Sequence, residues 1–180
     1  MEGRKQVELP RRHAAKVIIP ILVVAAVCGI WFLKNADKTP AITDDNPDFA
    51  LHVTKRLDLE KLKGYGLPII IDFGADSCDP CKKMAPVLQE LNEELRGRAI
   101  VKFVDVWKYQ GLADGYPIYL IPTQVFFDKD GNPFVPSDPA GMMMQMYALQ
   151  DTNEHVFTTH EGGMTKEQLM AALLEMGIEE

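Results

Sequence analysis

Cys78 and Cys81 stand in the sequence Cys78-Asp79-Pro80-Cys81, and thiols at that spacing can close a small disulfide ring and reopen it by exchange with a partner disulfide. An apolar run of strand length precedes the pair and a helical pattern follows it, so the cysteines sit where a helix begins. Unpaired N–H groups and the helix dipole at that end favour an anion, which makes Cys78 the expected nucleophile, while Pro80 is tolerated in the first turn. Cys78 would attack a partner disulfide, and Cys81, one turn further in, would resolve the mixed disulfide.

Two other readings compete. A tetrahedral zinc needs ligands beyond one cysteine pair, yet no second pair exists, and His155 and His160 are an odd number of residues apart, which puts them on opposite sides of a strand. An inert structural disulfide closing so short a loop removes little chain entropy and so stabilises little. The Met142-x-Met144-x-Met146 run invites copper(I), for which thioethers are suitable soft ligands, but methionines also fill irregular packing, and packing is the favoured reading. No metal site is therefore assigned.

The elements that must position the pair follow from periodicity. Leu67 to Phe73 reads as a strand buried on both faces and interrupted by Asp72; Lys82 to Leu95 reads as a helix with Met84, Leu88, Leu91 and Leu95 on one stripe. Ile100 to Val106 and Thr123 to Phe127 are further buried strands, the latter turning at Asp128 to Gly131. His155 to His160 reads as an edge strand, and Thr165 to Met176 as a last helix with a Thr165/Gln168 capping box and Gly177 as its stop. A short helix is expected near Met142 to Leu149. The alternation predicts an α/β domain with a central mixed sheet flanked by helices, over residues 48–180.

Ahead of that domain, Val17 to Leu33 carries no charge and at about 1.5 Å per helical residue spans roughly 25 Å, short but sufficient for a transmembrane helix. Lys16 and Lys34 flank it, and Trp31 and Phe32 suit the interface. Arg4, Lys5, Arg11, Arg12 and Lys16 make residues 1–16 a basic tail, which the positive-inside bias assigns to the cytoplasm. An uncleaved anchor at 17–33 is favoured over a cleaved signal peptide or a lipid attached at Cys28, because the run is long and no small-x-small site follows. Residues 34–47, polar and with two prolines, form a tether. Everything after it is expected outside the cytoplasmic membrane, in a periplasmic or equivalent space. A formal net charge of −7 excludes the basic footprint of a nucleic-acid binder.

The sequence resembles thioredoxin and its membrane-tethered relatives over roughly residues 50 to 180. The resemblance rests on Ile70-Ile71-Asp72-Phe73, on Cys78-Asp79-Pro80-Cys81 with Lys82 to Pro86 behind it, on Ile121-Pro122-Thr123, on Lys102 and on Gly162 before the last helix. It implies a thioredoxin-like fold and a redox-active Cys78/Cys81 disulfide. It also implies a buried Asp72 that exchanges a proton with Cys81, and a Lys102 that neighbours this acid and moderates its shift. Pro122 would be cis, with Ile121, Pro122 and Thr123, together with Asp79 and Pro80, meeting the incoming peptide.

The chain departs from the family pattern at Gly74 and Ser77, where tryptophans are usual, and at Asp79, whose charge beside Cys78 opposes thiolate formation and tilts the expectation towards a reductant. Residues 136–154 exceed the tight connection expected there and read as an insertion. The implied chemistry is dithiol–disulfide exchange with protein partners and needs no cofactor. A membrane-embedded thiol reductase could supply electrons, and clients could include cytochrome c maturation components or misoxidised secreted proteins. The alternatives are a disulfide-forming oxidase, a copper or other metal chaperone, and an interaction module with a vestigial pair.

Overall fold

The apolar segments Ile69–Gly74 (β2), Ile100–Asp105 (β3) and Thr123–Phe127 (β4) are buried along their whole length, because helices cover one face of the sheet they form and short helical turns cover the other. In the computed structural model, which describes residues 46–179, they are the centre of a six-stranded sheet ordered β1-β3-β2-β4-β6-β5. The other strands are β1 (His52–Val53), β5 (Met144–Ala148) and β6 (His155–Glu161). The pairings β1–β3 and β2–β3 are parallel and β2–β4, β4–β6 and β5–β6 antiparallel, so the sheet is mixed as expected.

Three helices complete the domain: α1 (Leu59–Lys63), α2 (Asp79–Glu94) and α3 (Lys166–Glu175). Met84, Leu88 and Leu91 of α2 and Leu169, Ala172 and Leu173 of α3 pack on Ile70, Val101, Phe103 and Phe126. On the opposite face, Leu62 of α1 and Phe49 of the 3-10 turn Pro47–Phe49 pack on Ile69, Ile71, Ile100 and Val125. Full burial of each such side chain contributes about 1.5–3 kcal/mol, which fixes α2 over β2 and therefore fixes its amino terminus. Thr165 caps α3 in the predicted box with Gln168, and Gly177, at φ +90, ends it.

Two expectations change. The segment read as a short helix near Met142 to Leu149 is strand β5, lying within 136–154. Its Met, Gln and Ala favour helices locally, but Met143 at φ +52 interrupts any helical path and pairing with β6 decides the outcome. As a result β5 is the outer strand and β6, expected at the edge, is internal. The basic tail, the apolar segment 17–33 and tether residues 34–45 lie outside the described residues. Among the described residues no helix is long and apolar enough to cross a membrane.

Candidate active site

Cys78 closes the start of α2. It is the N-cap residue, in extended conformation, and its Sγ accepts the backbone N–H of Cys81 at 3.4 Å while its carbonyl accepts from Lys82 at 2.9 Å. The helix thus begins at Asp79, three residues before the predicted Lys82, because Asp79 and Pro80 adopt its first turn. A disulfide joins Cys78 to Cys81, with Cα atoms 5.2 Å apart. Cys78 is 8% exposed and Cys81 3%, so the more exposed cysteine is the one expected to attack.

The Ile121–Pro122 peptide bond is cis, and Ile121 packs against the cluster of Ala75, Cys78 and Cys81. Pro122 passes its carbonyl to the N–H of Gly162 at 2.8 Å, and the Thr123 hydroxyl donates to the Leu120 carbonyl at 2.8 Å. Among the described residues no hydrogen bond engages the N–H or C=O of Ile121, which leaves one backbone unit beside the disulfide able to pair with an extended peptide. Asp79 points to solvent 3.5 Å from Lys82. Ser77 is exposed and itself offers no aromatic ring beside Cys78.

Behind the pair, Asp72 on β2 is fully buried. Burial disfavours its charge and raises its pKa from 3.8 to about 7, and a hydrogen bond from Gln124 Nε2 to its Oδ1, at 2.7 Å, works in the other direction. Its Oδ2 has no hydrogen-bond partner among the described residues. A Cβ at Gly74 would lie 3.3 Å from Asp72 Oδ2, 3.3 Å from Cys81 Sγ and 2.9 Å from Phe103 Cε2. The glycine therefore leaves a gap that the acid, the inner sulfur and the Phe103 ring all border. A carboxyl and a thiol facing one small gap can exchange a proton directly or through one water.

A family model described as thioredoxin matches residues 56–149. The chain belongs to the thioredoxin family. It is 38% identical over 89 residues to the chloroplastic thioredoxin Y of Oryza sativa subsp. japonica, across 48% of this chain and 52% of that one. It is 40% identical over 74 residues to a thioredoxin-like protein of Synechocystis, across 41% of this chain and 70% of that one. A mutant thioredoxin from Halobacterium salinarum superposes with a TM-score of 0.50 at 25% identity, covering 74% of this chain and 96% of its own. The chain spans about half the length of the curated rice relative.

Within this thioredoxin domain Lys102 does not neighbour Asp72. The register pairs Lys102 with Ile71 and Phe103 with Asp72, and opposed residues share a face, so Lys102 projects from the other side of the sheet. Its Nζ donates to the carbonyls of Ala50 at 2.7 Å and Pro47 at 3.4 Å. Burial lowers its pKa to about 8 against a partly opposing pull from Asp48. Lys102 ties down the segment leading into β1. Lys102→Met is therefore expected to leave the pH profile of disulfide exchange in place while costing about 1–3 kcal/mol in urea denaturation, chiefly from the Ala50 carbonyl left unpaired, since the Pro47 carbonyl keeps the Ala50 N–H. A moved profile would return Lys102 to the site.

Three further residues belong to the site, Asp105, Gln124 and His160, of which only His160 stood out in the sequence, as a zinc candidate. Asp105 accepts from the N–H groups of Asp76 at 3.1 Å, Trp107 at 3.0 Å and Lys108 at 2.9 Å. Burial opposes its charge, but these donors outweigh that and hold its carboxyl below the usual range. The contact with Asp76 pins the loop that delivers Cys78. Gln124 reaches Asp72 from β4 and His160 reaches Gln124 from β6, and only the strand register brings them there.

Proposed function

We propose that this chain is a protein dithiol–disulfide oxidoreductase, tethered to the cytoplasmic membrane by residues 17–33 with its thioredoxin domain outside, and that it reduces protein disulfides. The observation that carries the exchange chemistry is Cys78 at the head of α2, outside Cys81 and beside the unengaged backbone of Ile121. The client lies against Ile121, flanked by exposed Tyr119 and Leu120, which stand in for the aromatic surface missing at Gly74 and Ser77. The Cys78 thiolate attacks one client sulfur, forming a mixed disulfide and releasing the other sulfur as a thiolate that takes a proton from solvent. The Cys81 thiol gives its proton to Asp72, its sulfur attacks Cys78 Sγ to form the Cys78–Cys81 disulfide, and the second client sulfur leaves as a thiolate that takes a proton from solvent, completing the client dithiol.

Support for the reducing direction comes from the thioredoxins that the chain resembles and from the negative charge of Asp79 next to Cys78, although that charge is exposed and paired with Lys82 and so is partly screened. A membrane-embedded thiol reductase would regenerate the dithiol, and cytochrome c maturation components or misoxidised secreted proteins would be clients. The uncharged run at 17–33 with basic residues before it supports the anchor and its orientation. A redox titration of the full chain is expected to give a potential near the thioredoxin value of about −270 mV; one near about −120 mV would make it an oxidase. In intact cells Cys78 should react with a membrane-impermeant maleimide after reduction, and protection until lysis would contradict the assigned side.

A further inference from the structure

Asp72, Gln124 and His160 form one row across three neighbouring strands. The register opposes Asp72 to Gln124 between β2 and β4 and Gln124 to His160 between β4 and β6, and opposed residues share a face. The row continues to Phe103 on β3 and Met144 on β5, so three buried polar side chains lie between two apolar ends. An apolar row would fill this position without desolvating three polar groups, and that cost calls for a reason beyond packing.

The direction of each hydrogen bond is fixed. Gln124 Nε2 faces acceptors only: Asp72 Oδ1 at 2.7 Å, the Gly162 carbonyl at 3.1 Å and Met84 Sδ at 3.4 Å. The amide oxygen therefore faces His160, and Nδ1 of that ring, 3.0 Å away, must donate to it. His160 Nε2 is then a bare lone pair, and it has no hydrogen-bond partner among the described residues. The donor chain runs from His160 Nδ1–H through the Gln124 amide to the carboxyl, an arrangement that favours the carboxylate and turns Oδ1, not Oδ2, to the amide.

We propose that Gln124 and His160 are positioning residues for Asp72: His160 locks the Gln124 amide, the amide holds Oδ1, and Oδ2 is left facing the Gly74 gap to receive the Cys81 proton. This rests on the reading of the chain as a dithiol–disulfide exchanger. In the step served, the Cys81 S–H bond breaks, its proton binds Asp72 Oδ2, and the Cys81 electron pair forms the bond to Cys78 Sγ as the client thiolate departs. The pair takes the place that the sequence assigned to Lys102, acting on the acid by a fixed dipole chain instead of a charge.

The groups around the row leave little else to tune it. Facing Asp72 are Gln124 from β4, Met84 and Cys81 from α2 and Phe103 from β3; facing His160 are Gln124 from β4 and Met144 from β5. The Gly162 backbone also lies within reach of the His160 ring, and Glu161, next in β6, acts on it through its charge. Asp105 is opposed to Gly74 and is held by backbone donors. On α2, Asp79, Lys82 and Lys83 are exposed; on α3, Lys166 pairs with Glu90 and Glu94, and Glu167 and Glu175 are exposed.

The test is the titration of Asp72 in the full chain, read from the infrared C=O stretch of its protonated carboxyl and assigned by the loss of that band in Asp72→Asn. Gln124→Met keeps the length and removes the donor, and is expected to raise the midpoint by about one pH unit or more and to move the pH profile of insulin reduction with it. His160→Phe is expected to shift both the same way by less. An unmoved midpoint in folded Gln124→Met overturns the proposal. Nitrogen-15 NMR of the unmodified chain provides a check that needs no variant: His160 is expected as the Nδ1–H tautomer, and the Nε2–H tautomer overturns the proposal. If Asp72→Asn keeps the full rate and pH profile, the reading of Asp72 as proton acceptor fails first and takes the proposal with it.

Discussion

Replacing Cys78 with serine is expected to abolish disulfide reduction, lowering turnover of an insulin substrate by more than about a thousandfold. A serine hydroxyl stays protonated at neutral pH, where the thiol supplies a fraction of thiolate that the start of α2 favours through the Cys81 N–H and the helix dipole. The fold should survive, because Ser is a good N-cap and can accept the same N–H. Activity retained in Cys78→Ser would mean that the exchange is carried elsewhere in the chain.

Asp72→Asn should stabilise the domain and slow its chemistry. The folded carboxyl titrates at about 7 against 3.8 for the ordinary group, so its contribution to stability is fully present below pH 3.8, is lost as the pH rises to about 7, and is level above. A rise of about three units is worth up to about 4 kcal/mol at 1.36 kcal/mol per unit. Urea denaturation at pH 8 is therefore expected to show Asp72→Asn more stable by a few kcal/mol, and the advantage should disappear near pH 4. Insulin reduction near neutral pH should fall by about a hundredfold as Cys81 loses its proton acceptor. Equal stability of the two proteins at pH 8 would remove the buried charge from the account.

Local signals made much of this legible. The strand-to-helix junction at Cys78, the caps at Thr165 and Gly177 and the continuous apolar runs of the central strands are written in neighbouring residues, which are sufficient to specify them. What escaped depends on register. Lys102 and Asp72 are the right types of residue for a coupled pair, but facing is decided by which residues align across β2 and β3, and there Phe103, not Lys102, opposes the acid. Gln124 and His160 look like ordinary polar residues in strands until β4 and β6 bring them into line with Asp72. For β5 the long-range pairing with β6 overrode helix-favouring Met, Gln and Ala. A departure that was visible, Gly74, had its consequence hidden: the Phe103 ring borders the space beside it.

The central claim is that Cys78 attacks a client disulfide and Cys81 releases it. Cys81→Ala in the native membrane removes the resolving sulfur, and the account predicts a covalent Cys78–client species that survives denaturation, disappears with dithiothreitol and is absent from the Cys78→Ser, Cys81→Ala double variant. A chain that stays free of any such adduct while its clients are present would contradict it.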